Sequence, residues 1–421
     1  MVMREKTRDC FAEVQSTIPI VVVEGFMAAS GGGRYQKRLP DRQVFVARVG
    51  PASSIHDRAC ELYYSIKGGM VDYGEEHSSC FNHGRYGRTY PQGLYPQWST
   101  SKPLHFLGHS MGGPTIIKLA SLLAKGTFGP NSHPDMILSV TTVSAAFRGT
   151  QLVYTLGMRV DRAPEVRPHT AGRRLARGVH IISYLAPIMP KKWDFHAESR
   201  GLSYKDSDFK TLLHQLRKSD WAESRDAGPY DVTFESVDER EKDGEGFCNP
   251  RTYYRSYAAC WTKRKSPTDA RHVPPMTKML GVSRFLCSRS IGSFDFSTLR
   301  PSPSFWKHVR PFTDEKNASQ DGLLLQLGEE YWANDGTVPV FSQWHPHDCS
   351  ATKCIHHDPL ENNAMENPFA DPPTPGVWHV HSLPDAHHRA VFPLYLGTER
   401  QQKFWRELNQ YLHTIDDSPI I

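Results

Sequence analysis

No apolar run in this sequence approaches the length needed to cross a bilayer. The best, Ile18 to Val23, has the length of a strand and contains Pro19. No hydrophobic segment follows Met1-Val2-Met3-Arg4-Glu5-Lys6, so no secretory signal is visible. If Met1 is the native start, an intracellular protein is expected. Dense blocks of Lys and Arg are also missing, and the net charge is only +5 over 421 residues. That balance argues against nucleic acid as a partner. Internal repeats are absent, which excludes solenoids and propellers. Cysteine is sparse, with 8 residues. A chain of this length does not need disulfide staples, and the cysteine spacings settle neither redox state nor pairing.

What is present is enough apolar material, 38%, for a large core. Length alone allows two or three domains, but α/β enzymes often carry this much in one domain with insertions. A single domain over 1–421 is expected here. The 21 histidines invite a search for metal ligands. The chain is organised around Gly108-His109-Ser110-Met111-Gly112-Gly113. Before it, Pro103 to Leu107 reads as a short buried strand. After it, Ile116, Ile117, Leu119, Ala120, Leu122 and Leu123 recur at helical spacing. Gly-x-Ser-x-Gly alone marks only a turn in many proteins. Between a strand and a helix it is the context of a nucleophile elbow, in which the serine backbone is strained and small flanking residues avoid clashes.

Further strands are expected at 18–23, 44–49, 136–143 and 252–257, and helices at 57–66 and 398–412. Gly68 to Pro91 is too long for an ordinary connection and should have a function of its own. Residues 148–250 break the strand–helix rhythm. They read as an insertion covering the active site, with a lid helix inside; a plain packing insertion is the alternative. Within it, 229–249 reads as an acidic loop. Leu323 to Leu327 is a further apolar run, and 345–376 reads as an exposed loop.

A serine nucleophile needs a base, and the base needs an orienting carboxylate. In α/β-hydrolases the order is Ser, acid, His. Asp335 in Asn334-Asp335-Gly336 is the best acid, although Asn-Asp-Gly is also a common plain turn. His388 is the best base, with His379, His381 and His387 as rivals. The oxyanion hole needs two backbone N–H groups. Met111, after the nucleophile, supplies one, and Phe26, after the first strand, is the candidate for the other.

Several stretches resemble the true lipases of the Staphylococcus and Geobacillus type. They include Asp57-Arg58-Ala59-Cys60-Glu61, Gly69-Met70-Val71-Asp72-Tyr73-Gly74 and Arg85-Tyr86-Gly87-Arg88-Thr89-Tyr90-Pro91. Leu138-Ser139-Val140-Thr141-Thr142, Trp193-Asp194-Phe195 and Asn334-Asp335-Gly336 follow in the same order. The resemblance implies an α/β-hydrolase fold, a mostly parallel central sheet flanked by helices with a lid and zinc-binding insertion. It implies a secreted lipase acting on triacylglycerol or other carboxylic esters, with lipid or ester as its partner at a lipid–water interface. Ser110, Asp335 and His388 fall on the family triad, His388 at the family's spacing past Gly376-Val377-Trp378. Phe26 and Met111 fall on the oxyanion donors. Asp57, His77 and His83 fall on three ligands of a structural zinc, with Glu198 where the family has aspartate. A site with four protein ligands leaves no open position for water.

The sequence also departs from that pattern. Glu24 replaces a histidine beside the oxyanion loop, where a carboxylate would oppose the oxyanion. Ala145-Ala146-Phe147 replaces a Thr-Pro-His pattern. The family's calcium carboxylate is Ala390 here, so calcium is not expected. The lid is more basic than the family's. An esterase for short or soluble esters, or a catalytically weak hydrolase fold used for binding, are the alternatives these departures leave open. Outside the resemblance, His345, His347, Cys349, Cys354, His356 and His357 crowd one stretch. Cys-x4-Cys with flanking histidines could bind a metal, but it is not a standard zinc pattern. A mobile loop with a local disulfide or free thiols is the expectation.

Overall fold

The computed structural model describes residues 17–28, 33–190, 193–267, 269–275, 281–306, 327–357, 373–393 and 397–418. Seven strands form the central sheet: β1 (Ile20–Val23), β2 (Val44–Ala47), β3 (Leu104–His109), β4 (Ile137–Val143), β5 (Tyr253–Cys260), β6 (Cys354–His357) and β7 (Trp378–Pro384). Their spatial order is β6-β7-β5-β4-β3-β1-β2, and every neighbouring pair is parallel. Parallel strands covered on both faces need apolar side chains in both directions, which is why β1 reads as an unbroken Ile-Val-Val-Val. Val21 and Val23 face α1 (Ile55–Lys67) and α2 (Gly112–Ala124). Ile20 and Val22 face the last helix of the described chain, α6 (Glu399–Asp416), through Phe404, Leu408 and Leu412. The strands and helices expected from periodicity are thus present, with ends shifted by a few residues.

A buried polar tie crosses the second of these layers. Asp416 at the end of α6 accepts from Arg42 Nη2 at 2.9 Å, and its other oxygen lies 2.8 Å from His105 Nε2 on β3. At its start, α6 is closed by a reciprocal capping box between Thr398 and Gln401.

The structure defines one stretch and changes the expectation for two others. The excursion from Gly68 to Pro91 is an antiparallel pair, Gly69–Asp72 with Tyr86–Tyr90, enclosing a short helix Glu75–Cys80. The acidic stretch expected as a loop contains a helix, Phe234–Lys242. Thr233 caps it by accepting from the Ser236 N–H at 3.1 Å, and Phe234 and Val237 turn into the core. The stretch expected as an exposed loop supplies β6 through Cys354–His357, paired in register with Trp378 to His381. Cys349 and Cys354 are free thiols rather than a disulfide. Residues 358–372, and most of Leu323 to Leu327, lie outside the described residues.

Between β4 and β5 the longest helix, α3 (Ala171–Tyr184), is capped by Thr170 and turns Ala176 and Val179 inward. A second helix, α4 (Phe209–Arg217), packs beside it. Among the described residues no helix is long and apolar enough to cross a membrane.

The tightest constraint lies where α2 begins. A Cβ on Gly112 would stand 1.9 Å from the carbonyl oxygen of Val23. Backbone on a central strand has nowhere to retreat. Gly112→Ala is therefore expected to destabilise the fold by about 3 kcal/mol, the upper range for overpacking. Denaturant unfolding checks this, and a loss below about 0.5 kcal/mol, the scale of an ordinary surface substitution, would show that α2 can shift.

Candidate active site and metal centre

Ser110 leaves β3 with φ of +55°, a left-handed conformation that costs a non-glycine residue energy. Its N–H donates to Val143 O on the neighbouring strand at 3.1 Å, and its carbonyl accepts from the Gly113 N–H at 3.1 Å. A Cβ on Gly108 would meet Gly113 N at 2.7 Å. The turn therefore closes only with glycine on both sides of the serine. A third glycine is also needed. A Cβ on Gly25 would fall 2.6 Å from Ser110 Cβ and 3.1 Å from its Oγ. Nothing in the sequence alone marks Gly25, because its proximity to the serine arises only in the fold.

The acid and base expected from the sequence, Asp335 and His388, are paired with each other. Asp335 is fully buried, and its Oδ1 accepts from the N–H groups of Thr337 at 2.9 Å and Val338 at 2.8 Å. The turn around it is fixed by Asn334, whose Oδ1 accepts from the Gly336 N–H at 2.9 Å. Gly336 sits at φ +96°, which this turn demands. Asp335 Oδ2 lies 2.8 Å from His388 Nδ1, and the His388 N–H donates to Asp335 O at 2.9 Å. The carboxylate thus holds the proton on Nδ1 and leaves Nε2 as the basic nitrogen. His109, in the elbow itself, is pushed down to about 3 by burial and by the neighbouring His388. As a neutral ring it donates from Nε2 to the carbonyl of His388 at 2.8 Å, tying the base to the elbow.

The rival histidines are occupied elsewhere. His387 Nδ1 accepts from the Arg389 N–H. His379 Nδ1 lies 3.1 Å from His357 Nε2, and His381 stacks on the same His357 ring with centroids 4.4 Å apart.

Ser110, His388, Phe26 and His109 line one open cleft of about 780 Å³. Ser110, Phe26 and Met111 also line a narrower cavity of about 140 Å³ beneath the insertion, walled by Leu175, Ala176, Val179 and Trp221. Phe26 therefore stands with the serine at the junction of cleft and cavity, and Met111 on the cavity side. Glu24 does not line either space. It is buried, and its carboxylate accepts from Tyr35 OH at 2.8 Å. The opposing charge expected at the oxyanion hole is thereby turned into the sheet layer.

A second centre joins the insertion to the core. Asp57 lies in the first turn of α1, His77 on the short helix of the excursion, and His83 in the loop after it. The structure brings these three together, but the fourth member is Asp226 rather than Glu198. Glu198 and Asp194 are both paired with Arg88, so Glu198 is drawn away from the centre. One ligand-type atom from each of Asp57, His77, His83 and Asp226 lies within 4.8 Å of all the others. Asp57 Oδ1, His77 Nε2, His83 Nε2 and Asp226 Oδ1 are buried and meet chiefly one another, His77 Nε2 standing 3.3 Å from Asp57 Oδ1 and 3.2 Å from Asp226 Oδ1. Two imidazole nitrogens and two carboxylate oxygens gathered this closely in a buried place are the pattern a metal ion satisfies. His83 Nδ1 lies 2.9 Å from Gly84 O, which keeps Nε2 free to ligate. Arg200 Nη2 holds the remaining oxygens, 2.9 Å from Asp57 Oδ2 and 2.5 Å from Asp226 Oδ2. The resemblance placed the fourth carboxylate just after Trp193-Asp194-Phe195. Only folding shows that the chain returns, past α4, to deliver Asp226.

Comparison with known proteins finds lipases among the relatives of this chain. The lipase of Staphylococcus hyicus is 30% identical over 382 residues, covering 83% of this chain and 54% of that protein. Lipase 1 of Staphylococcus aureus is 29% identical over 370 residues, covering 80% and 47%. The chain spans about half the length of the curated relatives it matches. The crystal structure of Staphylococcus hyicus lipase superposes with a TM-score of 0.66 at 25% identity, covering 96% of this chain and 95% of that one. EstA from Clostridium botulinum superposes with a TM-score of 0.67 at 23% identity, covering 96% and 88%. The parallel sheet with helices on both faces is thus an α/β-hydrolase-like fold. The family described as "Lipase-like, C-terminal domain" matches residues 35–282, a span that includes the serine elbow and all four members of the metal cluster. The chain belongs to that family.

Proposed function

We propose that this chain is a serine lipase that hydrolyses triacylglycerol or related carboxylic esters. The observation that carries the reading is the His388–Asp335 pair, 2.8 Å long, on the same cleft as the strained Ser110. His388 Nε2 takes the proton of Ser110 Oγ as the oxygen attacks the ester carbonyl. The N–H groups of Met111 and Phe26 stabilise the oxyanion. Collapse of the tetrahedral species expels the alcohol, which receives the proton from His388. Water, deprotonated by the same histidine, then releases the fatty acid and restores the serine.

The apolar cavity beneath α3 suits an acyl chain. Outside it the insertion exposes Ile181, Ile188, Phe209 and Leu213. Exposed large apolar residues gathered on a covering element fit contact with a lipid surface better than action on soluble esters alone. The exposed basic residues of α3, Arg174 and Arg177, would favour anionic surfaces.

Ser110→Ala or His388→Ala should lower turnover of p-nitrophenyl butyrate and palmitate by about 10⁴-fold or more, while His387→Ala stays within about tenfold of wild type. Steady-state kinetics on folded proteins decide it. Near-normal turnover by His388→Ala would move the base to another histidine.

The cluster of Asp57, His77, His83 and Asp226 fits zinc, whose usual ligands are imidazole, carboxylate and thiolate in tetrahedral array. Bound there, zinc would neutralise two buried carboxylates and fasten the insertion to α1 and the excursion. Asp226→Asn should hold one zinc fewer per chain than wild type, and Glu198→Ala should match wild type, by elemental analysis. A chelator should lower the thermal midpoint of wild type, since binding at a hundredfold over Kd stabilises by about 2.7 kcal/mol. Zinc loss from Glu198→Ala with retention in Asp226→Asn would reverse the assignment.

A further inference from the structure

Away from the elbow and sharing no residue with the first cluster, a second set of ligand-type atoms converges. One ligand atom each from His345, Cys349, Cys354 and His356 lies within 4.8 Å of all the others. Cys349 Sγ is 3.6 Å from His345 Nε2 and 3.5 Å from His356 Nε2. Local structure accounts for each position. His345 follows the short helix α5 (Val340–Trp344) with extended backbone, and is 1% exposed. Its Nδ1 lies 3.0 Å from Pro346 O, a carbonyl that only an N–H can satisfy, so Nε2 presents its lone pair to the sulfur atoms. Cys349 stands in a turn held by Asp348, whose Oδ1 accepts from the N–H groups of Ser350 at 2.9 Å and Ala351 at 3.1 Å. Cys354 and His356 are two apart on β6, so strand alternation puts both on one face.

A cysteine pair this close would serve either as a disulfide or as a dithiol. The two thiols are free. A plain hydrophobic or hydrogen-bonded corner gives no reason for two imidazoles to meet two thiols, whereas a soft divalent cation does. We propose that His345, Cys349, Cys354 and His356 form a second metal site, taking Zn²⁺ or a similar thiolate-preferring divalent ion with tetrahedral Cys₂His₂ ligation. Binding releases the two thiol protons, so the cation and two thiolates leave the filled site neutral.

Such a site would brace the segment that presents the acid of the triad. Directly before it, Gln343 Nε2 donates to Val338 O at 3.0 Å and Ala259 O at 2.9 Å, and the Val340 N–H donates to Ala333 O at 2.8 Å. The metal would fix the far end of α5 against the edge strand β6, and α5 in turn backs the Asp335 turn. Its role is structural, and the proposal stands whether or not the chain hydrolyses esters.

Cobalt distinguishes this site from the first, because only this one contains sulfur. The full chain is stripped of metal with a chelator, reduced, and titrated with Co²⁺. A thiolate-to-cobalt charge-transfer band in the near ultraviolet should rise to a plateau by two equivalents in wild type and by one in Asp226→Asn, and be abolished by Zn²⁺. Cys349→Ser and Cys354→Ser should each remove most of it. Asp226→Asn should keep it, whether or not the first cluster binds metal. His356→Ala, at an exposed position that folding tolerates, should keep a band of altered shape and weaken binding by at least tenfold. No band in the reduced wild-type protein would overturn the proposal. So would a band that survives in the double variant Cys349→Ser/Cys354→Ser, since its sulfur would belong to other cysteines.

Discussion

The strained backbone of Ser110 is the constraint on which the rest depends. A residue at φ +55° between a strand and a helix persists only if its surroundings hold it there. Here they do so from three directions. The Val143 carbonyl on β4 fixes its N–H, α2 starts so close to Val23 that Gly112 cannot carry a side chain, and Gly25 gives way to the serine itself. The order of β1, β3 and β4 at the centre of the sheet is what brings these groups together. The reward for the strain is an Oγ at the junction of an open cleft and an apolar cavity. It also lies at the start of α2, whose macrodipole favours negative charge.

A second set of ties holds the covering insertion. Glu61, fully buried on α1, accepts from the Gly50 N–H at 2.7 Å and from Tyr73 OH at 3.1 Å, and its Oε2 lies 2.5 Å from His196 Nδ1. Arg200 spans Asp57 and Asp226, while Arg88 draws Asp194 and Glu198 together. Each ion pair joins the insertion to α1 or to the excursion, or closes the insertion on itself. Buried charges of this kind demand complete pairing, because a lone one costs far more than the pair contributes. The two carboxylates and two imidazoles gathered at Asp57 and Asp226 stand out against that background as a group consistent with a metal.

Much of this was legible before any coordinates. Elements with strong periodicity and sharp punctuation, such as β1, the Gly-x-Ser-x-Gly turn and α2, follow from local rules, because their neighbours impose the same pattern the sequence carries. Asp335 and His388 follow from chain order together with a family likeness, and their pairing is geometric. What escaped was set by distant parts of the chain. Glu198 and Asp226 are both acidic residues in the insertion, and only the position of Arg88 decides which one turns away. The helix Phe234–Lys242 was hidden by its charges, although Thr233 with buried Phe234 and Val237 is a readable start signal. Strand β6 was hidden by its histidines and cysteines, residues with little strand preference of their own, which pair with β7 because the sheet edge is available there.

The central claim is that the fold spends conformational strain to make one serine a nucleophile. The direct test is reaction of the native protein with a fluorophosphonate, followed by peptide mass spectrometry. The account predicts a single covalent adduct per chain, located on Ser110 and absent when the protein is first unfolded in denaturant. An adduct on a different serine, or none on a folded protein that still cleaves esters, would contradict it.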